Sequence, residues 1–253
     1  MPVKEFNIFR RHRYQTISNL KLVTLPSTFR GRPVIGSEIT ETEAALVATL
    51  CPVGAIQLSP CRIDLGRCVY CNECHFVLPG KITFTNDYRL ATNVRESLIV
   101  EAGTDIPVKL NPDKIRKEIR SIFRHALKLR QVSAGGDNSA EMELNATGNV
   151  NFDMGRYGIE FVASPRHADG IVITGPITSN MAEALQICYD AIPEPKLIIL
   201  AGTDAISGGI FAGSPELNRE FIAKYPVDLF VPGNPPHPLT FIHGVLEMIG
   251  RKF

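Results

Sequence analysis

Residues 51–74 read CPVGAIQLSPCRIDLGRCVYCNEC and hold five of the six cysteines of this chain. Cys68, Cys71 and Cys74 follow one another at intervals of three residues, and Cys51 stands directly before a proline. Because the sequence shows no apolar signal segment, we expect a reducing compartment and a metal site, not disulfides. Structural zinc sites usually combine two separated cysteine pairs, or one pair with histidines. The spacing therefore favours an iron–sulfur site over zinc.

The spacing matches one complete ligand set of a two-cluster ferredoxin. In such ferredoxins each half carries C-x2-C-x2-C-x3-C-P, and the fourth cysteine of one run binds the cluster of the other. The second run here has Leu78 in place of its last cysteine, and the first run has Glu41, Ala44 and Val47 in place of its first three. The surviving residues are Cys51, Cys68, Cys71 and Cys74. They predict one 4Fe-4S cluster.

Composition indicates a globular protein of one large or two modest domains. The chain of 253 residues is 44% hydrophobic and 21% charged, with a net charge of +1, which gives no reason to expect nucleic acid. No run approaches the roughly 18 apolar residues of a membrane span, so membrane association would come through partners.

The arginine-rich start, Arg10–Arg13, resembles a transit peptide, but a basic arm lying on a partner protein is favoured. Cys61 and Cys188 are interpreted as packing residues.

Turn signals and hydrophobic periodicity divide the chain into four predicted segments. Residues 1–36 are an extended N-terminal arm, 37–92 a ferredoxin-like α+β module, 93–132 a linker with a basic amphipathic helix, and 133–253 a second domain. The helix is predicted from Asn111 as N-cap to Arg130. Its basic face either is solvated or docks on a partner.

The second domain alternates short apolar runs with helical patterns. The predicted strands are Gly158–Val162, Gly170–Thr174, Lys196–Leu200 and Val227–Val231, and the predicted helices are Ser179–Ala191, Pro215–Lys224 and His237–Gly250. This alternation predicts an α/β fold with a flavodoxin-like parallel sheet. Any site would lie in the loops after the strands, at Gly175, Gly202–Asp204 and Pro232–Pro236.

Six motifs in this domain carry a resemblance to a known family. They are Tyr157-Gly158-Ile159, Ser164-Pro165-Arg166-His167-Ala168-Asp169, Val172-Ile173-Thr174-Gly175-Pro176, Pro193-Glu194-Pro195-Lys196, Ser207-Gly208-Gly209-Ile210-Phe211 and Pro232-Gly233-x-Pro235-Pro236-x-Pro238. Residues 133–253 resemble the small-subunit family that complex I, in its B subunit, shares with the group 4 nickel–iron hydrogenases, including formate hydrogenlyase. Residues 29–91 similarly look like the ferredoxin-type subunit of the same hydrogenases. The chain thus resembles a fusion of two neighbouring subunits.

The resemblance also implies a site that has lost its ligands. Family members hold a second 4Fe-4S cluster with four cysteines, and the matching places here are Asp137, Ala140, Asp204 and Asn234. These side chains cannot replace thiolates around iron, so that cluster is expected to be absent. Glu141, Glu143, Arg166 and His167 are expected to join the two aspartates in a polar site there. It is either a salt-bridged plug, with Arg166 pairing with the aspartates, or a proton relay.

The resemblance implies an electron-transfer or scaffold subunit of a hydrogenase-like or complex I-like oxidoreductase. Its expected partners are a hydrogenase-like large subunit and membrane-arm subunits, and its expected location is peripheral, at the cytoplasmic face of the inner membrane. The sequence has no nickel-site cysteine pairs, nucleotide fingerprint or nucleophile–base motif, so it is not expected to turn over alone. The alternative is a redox-sensing or partner-binding module whose cluster is structural.

Overall fold

A computed structural model describes residues 15–251, and the arginine-rich segment Arg10–Arg13 lies outside the described residues. Two small antiparallel sheets occupy the first part of the chain, and one five-stranded parallel sheet occupies the second. The described part of the N-terminal arm lies on the second part. Leu20 is buried in that core, and its carbonyl accepts a hydrogen bond from the Tyr88 hydroxyl. The arm therefore joins the two parts.

The first part consists of five short strands and two helices. They are β1 (Pro33–Ile35), α1 (Glu41–Leu50), β2 (Ile56–Gln57), β3 (Arg62–Asp64), α2 (Glu73–Val77), β4 (Ile82–Phe84) and β5 (Ile99–Glu101). β1 pairs with β4, and β3 lies between β2 and β5. Helix α1 begins at Glu41, after the N-cap Thr40, which forms a capping box with Glu43. It ends at Leu50, because the next residue, Cys51, precedes a proline and is therefore disfavoured in the helical region.

The second part is a parallel sheet with helices between its strands. Its elements are α3 (Lys117–Ile122), β6 (Leu127–Ser133), α4 (Ser139–Ala146), β7 (Ile159–Phe161), β8 (Gly170–Thr174), α5 (Ser179–Asp190), β9 (Leu197–Ala201), α6 (Thr203–Ser207), α7 (Glu220–Lys224), β10 (Leu229–Val231) and α8 (Pro238–Met248). The strand order is β10-β9-β8-β6-β7. In chain order this is 2-1-3-4-5, the flavodoxin-like arrangement, which confirms the predicted parallel α/β domain. Every residue of β8 and β9 is buried, as expected for a sheet covered on both faces.

The long basic helix predicted from Asn111 to Arg130 is wrong. Asn111 does cap a short 3-10 turn by accepting from the Asp113 N–H at 3.0 Å. Helix α3 then ends at Ile122, and the chain continues as β6, which begins at Leu127 in the middle of the sheet. Residues 127–130 alternate apolar and basic side chains, and this period of two suits a strand as well as a helical stripe. In the folded protein this segment is a strand, because it forms parallel ladders with β7 and β8.

The helix predicted over Pro215–Lys224 is present only as α7, from Glu220 to Lys224. The other two predicted helices are confirmed as α5 and α8. No helix between residues 15 and 251 is long and apolar enough to cross a bilayer.

The loops after β6 and β8 pass unusually close to each other. Gly175 has a φ of +78°, and a Cβ at this position would lie 2.5 Å from the backbone nitrogen of Gly136. Only glycine fits such an approach. These two strands flank the switch point of the sheet, where ligands of flavodoxin-like folds bind. The crossing loops therefore form one wall of the crevice described below.

Candidate functional site

The four cysteines of the predicted ligand set line one apolar cavity in the first part of the chain. Cys51 ends α1, Cys68 and Cys71 lie in the loop before α2, and Cys74 lies in the first turn of α2. The remaining cavity wall includes Val53, Ile63 and Phe84, among other apolar side chains. The fold therefore brings Cys51 to the same cavity as the Cys68–Cys74 run.

Two left-handed residues shape the loop around Cys71. Tyr70 has a φ of 54° and Asn72 a φ of 75°, a conformation that side-chain-bearing residues adopt only rarely. The chain thus turns sharply before and after Cys71. These turns let Cys68, Cys71 and Cys74 border the same cavity.

Backbone donors and burial set the electrostatics of the four thiols. The Ala55 N–H donates to Cys51 Sγ at 3.2 Å, and the Tyr70 N–H donates to Cys68 Sγ at 3.4 Å. Burial, with smaller effects from the neighbouring thiols, raises the pKa of Cys68 to about 12 and that of Cys74 to about 11. Thiolates in such a pocket require a bound cation, and a coordinating metal deprotonates a thiol outright. The donor set therefore fits a soft metal centre.

A 4Fe-4S cluster and a single metal ion require different arrangements of their cysteine ligands. Among residues 15–251, no three His, Cys, Asp or Glu side chains converge on a point where one metal ion could sit. Zinc would require its sulfurs about 2.3 Å from one centre. A 4Fe-4S cluster binds each thiolate through a different iron, so its four sulfurs stay apart. The four cysteines around one apolar cavity fit such a cluster.

The other two cysteines lie outside this cavity. Cys61 is buried in the core of the first part, and burial raises its pKa. Cys188 lies on α5, far along the chain, where burial also raises its pKa.

A second, smaller cavity lies at the carboxyl ends of the parallel strands. Asp137, Ala140, Asp204 and Asn234 all line it. They come from the loop after β6, from α4, from α6 and from the loop after β10. The structure therefore brings together the four positions that the resemblance singled out.

The expected contact between these aspartates and Arg166 is wrong. Arg166 is exposed in a short turn before β8, so it lies at the amino end of the strand, whereas the cavity lies at the carboxyl end. Asp137 instead accepts from the backbone N–H and the hydroxyl of Ser139, at 2.9 and 2.6 Å. Oδ1 of Asp204 is buried and has no hydrogen-bond partner. A salt-bridged plug built on Arg166 is thus excluded.

The glutamate that lines the cavity, together with Asp137 and Asp204, is Glu141, whereas Glu143 does not line it. Glu141 lines the cavity, and its Oε1 accepts from the Thr174 hydroxyl at 2.6 Å. Glu143 follows two positions later on α4, on the opposite side of a helix with about 3.6 residues per turn, and does not line the cavity. His167 shares the exposed turn of Arg166 and is also outside the cavity.

Sequence reasoning missed Arg219, which ties together the loops around this cavity. Its guanidinium donates to the carbonyls of Pro176, Ala205 and Ile206 at 2.9, 2.8 and 2.9 Å. Burial lowers its pKa to about 10, so the side chain stays charged at neutral pH. No local pattern could reveal this role, because Pro176 and the adjacent residues Ala205 and Ile206 become neighbours of Arg219 only in the folded domain.

The carboxylate of Asp204, whose buried Oδ1 has no hydrogen-bond partner, is destabilising when it is charged. Burial raises the pKa of Asp204 to about 6, and the nearby charges of Asp137 and Glu141 contribute to the same increase. The folded chain therefore holds an extra proton between about pH 4 and pH 6. Its stability falls as the pH rises through this window and stays lower above it.

We expect Asp204→Asn to increase the free energy of unfolding at pH 8 and to have little effect at pH 4. The increase should be about 1 kcal/mol, because partial exposure screens the charge. Urea unfolding at both pH values measures the difference. Asp113→Asn, at an exposed carboxylate, serves as the charge-matched control and should have a smaller effect. An equal increase in the free energy of unfolding of both variants at pH 8 would show that the charge of Asp204 is not specifically destabilising.

Comparison with known proteins relates the second part of the chain to respiratory complexes. The family model described as "NADH ubiquinone oxidoreductase, 20 Kd subunit" matches residues 138–248. A probable membrane-bound hydrogenase subunit, mbhJ, of Pyrococcus furiosus is 38% identical over 46% of this chain and 69% of its own length. The B subunit of the NADH-quinone oxidoreductase of Heliobacterium modesticaldum is 45% identical over 42% of this chain and 62% of its own length. The chain thus spans less than two thirds of that relative.

Among solved structures, one chain from the membrane-bound sulfane sulfur reductase, an archaeal respiratory membrane complex, is 25% identical. The match covers 50% of this chain and 70% of that chain, with a TM-score of 0.45.

Proposed function

We propose that this chain is one subunit of a larger respiratory oxidoreductase, because it belongs to the family of the 20 kDa subunit of NADH ubiquinone oxidoreductase. The complex would be of the membrane-bound hydrogenase or complex I type, in which the relatives are named as subunits. The chain would act there in electron transfer or as a scaffold. The family match over the parallel-sheet domain is the observation that carries this proposal.

We further propose that residues 37–92 form a ferredoxin-like module with one 4Fe-4S cluster. Cys51, Cys68, Cys71 and Cys74 would hold the cluster, which accepts and releases single electrons. The apolar cavity wall would exclude water from it, and the N–H donors of Ala55 and Tyr70 would stabilise charge on the cysteine sulfurs. Residues 93–132 would connect this module to the second domain, with β5 still pairing with β3 of the first part and the second sheet beginning at Leu127.

The second domain, assigned to residues 133–253, would then serve chiefly as a scaffold. Its cavity offers Asp137, Ala140, Asp204 and Asn234 where relatives would offer thiolates, and none of these is a good ligand for a soft iron–sulfur core. Electrons would therefore enter and leave through the first module.

The proposed partners are a hydrogenase-like large subunit and membrane-arm subunits. They would hold the chain peripherally at the cytoplasmic face of the inner membrane. The alternative, a redox-sensing module, requires no such assembly. The presence or absence of partner subunits therefore distinguishes a complex subunit from a sensor.

Purification of the tagged chain from its native cells, in mild detergent, is expected to recover these partner subunits. The same chain produced alone is expected not to evolve hydrogen and not to oxidise NADH or formate. Mass spectrometry of the native preparation and anaerobic assays of both preparations measure this. Recovery of the chain without partners would favour the sensor, and turnover by the single chain would contradict the proposal.

A further inference from the structure

A groove of about 690 Å³ lies beside the C-terminal end of α8. Residues of the linker, from Pro107 to Pro112, line it together with the last turn of α8 and Gly250. The cavity that contains Asp204 lies instead near the start of α8, where Pro236 lines it. The groove is therefore separate from the place of the lost ligands.

Positive charge is concentrated in this groove. Two acids among the described residues line it, Asp87 and Glu247. Their five positive charges against two negative ones give the described lining a net charge of +3, whereas the whole chain carries only +1. The five cations come from separate segments of the chain and are Lys21, Arg89, Lys109, Arg120 and Arg251.

Contacts within the fold account for two of the five cations. Arg89 pairs with Asp87 through Nε and Nη2, at 2.7 and 3.0 Å. Arg251 donates to the carbonyl of His125 at 2.9 Å and to that of Tyr157. Their charges are already used to hold the fold together.

Glu247 is the acid towards which several of the cations are directed. Burial raises the pKa of Glu247, and the charges of three lining cations act against this increase. These cations are Arg89, Lys21 and Lys109. One carboxylate cannot compensate three positive charges, so the groove keeps an excess of positive charge.

Arg120 lies over the end of α8 without a partner for its charge. Its aliphatic part packs on Gly250, where a Cβ would lie 3.5 Å from Cδ of Arg120. Within residues 15–251, neither Arg120 nor Lys109 forms a salt bridge. The last carbonyls of α8 accept from the N–H groups of Gly250 and Arg251, so Arg120 is not needed as a helix cap.

Apolar side chains line the same groove. Val108 is buried, with 7% of the residue exposed, and Leu110 is half-buried. Pro107 and Pro112 lie on either side of them in the sequence and are exposed. A ligand of this groove would therefore meet positive charge and apolar surface together.

We propose that this groove binds an acidic peptide segment of a partner protein, whose carboxylates pair with Lys109 and Arg120 and whose apolar side chains contact the linker residues. The volume lies within the roughly 300–1,000 Å³ of pockets that enclose a sizeable ligand, so a single small anion would leave most of it empty. A flat membrane surface would contact protruding cations, whereas these line a recess. This inference goes beyond the proposed function and does not rest on it.

The test uses the full chain, purified anaerobically with its iron, and a short fluorescein-labelled peptide in which glutamate and leucine alternate. Fluorescence anisotropy at low ionic strength should show saturable binding. A second labelled peptide, with glutamine in place of every glutamate, is the reference and should bind much more weakly. Added salt should weaken binding of the acidic peptide, because it screens exposed charges.

Four variants assign the binding to this groove. Arg120→Gln and Lys109→Gln should each weaken it about threefold, as expected for one exposed ion pair, and both together about tenfold. Glu247→Gln should instead strengthen it about twofold, because it removes a like charge from the groove. Arg124→Gln, at an exposed arginine outside the groove, should leave the affinity unchanged. All four should unfold at the wild-type midpoint, which shows that the fold is intact.

Three results would overturn the proposal. The first is equal affinity for the acidic peptide and its glutamine reference. The second is binding by Arg120→Gln and Lys109→Gln that is as tight as binding by Arg124→Gln, since the peptide would then lie elsewhere. The third is binding of phosphatidylglycerol vesicles, lost in Arg120→Gln, without binding of the peptide, because the groove would then contact a membrane surface.

Discussion

Anaerobic iron and sulfide analysis of the purified chain is expected to give about four irons per chain, and Cys71→Ser is expected to abolish this content. Cys51, Cys68, Cys71 and Cys74 line the same cavity, whereas the second cavity contains no cysteine. A serine hydroxyl is a much harder ligand than a thiolate and binds the soft cluster poorly. The neighbouring Glu73 carboxylate is likewise a hard ligand and is not expected to replace the lost thiolate.

Cys61→Ser and Cys188→Ser are the matched controls for this loss. Neither residue lines the cavity, so both variants should keep the iron content and visible absorption of the wild type. Serine at buried position 61 should still destabilise the fold, because the hydroxyl replaces an apolar contact. About eight irons per chain, zinc in place of iron, or a Cys71→Ser protein with full iron would contradict the assignment.

Four strands of the parallel sheet could be predicted from short, mostly apolar runs bounded by turns. Gly170–Thr174 was predicted with the bounds that β8 has, because all five residues are buried between two helical layers. β6 was missed since Lys128 and Arg130 interrupt its apolar residues. Its position in the middle of the sheet depends on hydrogen bonds with β7 and β8, which no local pattern contains.

In the candidate sites, too, features that depend on short sequence intervals could be predicted, and features that depend on distant segments could not. Cysteine spacing was enough to group residues 51–74 around one cavity, because the geometry of a ligand set is encoded in short intervals. The pairing of Arg166 with the aspartates was wrong, since it depended on which end of β8 the turn occupies. The contacts of Arg219 and the cationic groove beside α8 could not be predicted, because the residues that form them come from distant segments.

Restoring cysteines at the four positions of the second cavity is expected to create a second cluster. The variant combines Asp137→Cys, Ala140→Cys, Asp204→Cys and Asn234→Cys. All four positions line one cavity, and the loops around them are fixed by Arg219 and by the close approach of Gly175 to Gly136. The iron content should rise from about four to about eight per chain after anaerobic reconstitution.

The substitutions also remove an obstacle to a cluster. A cluster with four thiolates carries negative charge, and the carboxylates of Asp137 and Asp204 would repel it. Glu141 remains, but its Oε1 is already held by the Thr174 hydroxyl at 2.6 Å. The four corresponding serine substitutions form the control, which should fold and keep about four irons.

A folded four-cysteine variant that still binds only about four irons would show that the cavity walls have also changed. Circular dichroism distinguishes this result from simple misfolding. If the second cluster forms, the change of four side chains alone accounts for its absence in this chain. The sheet and its crossing loops would then be a scaffold that retains the geometry of a ligand set it no longer carries.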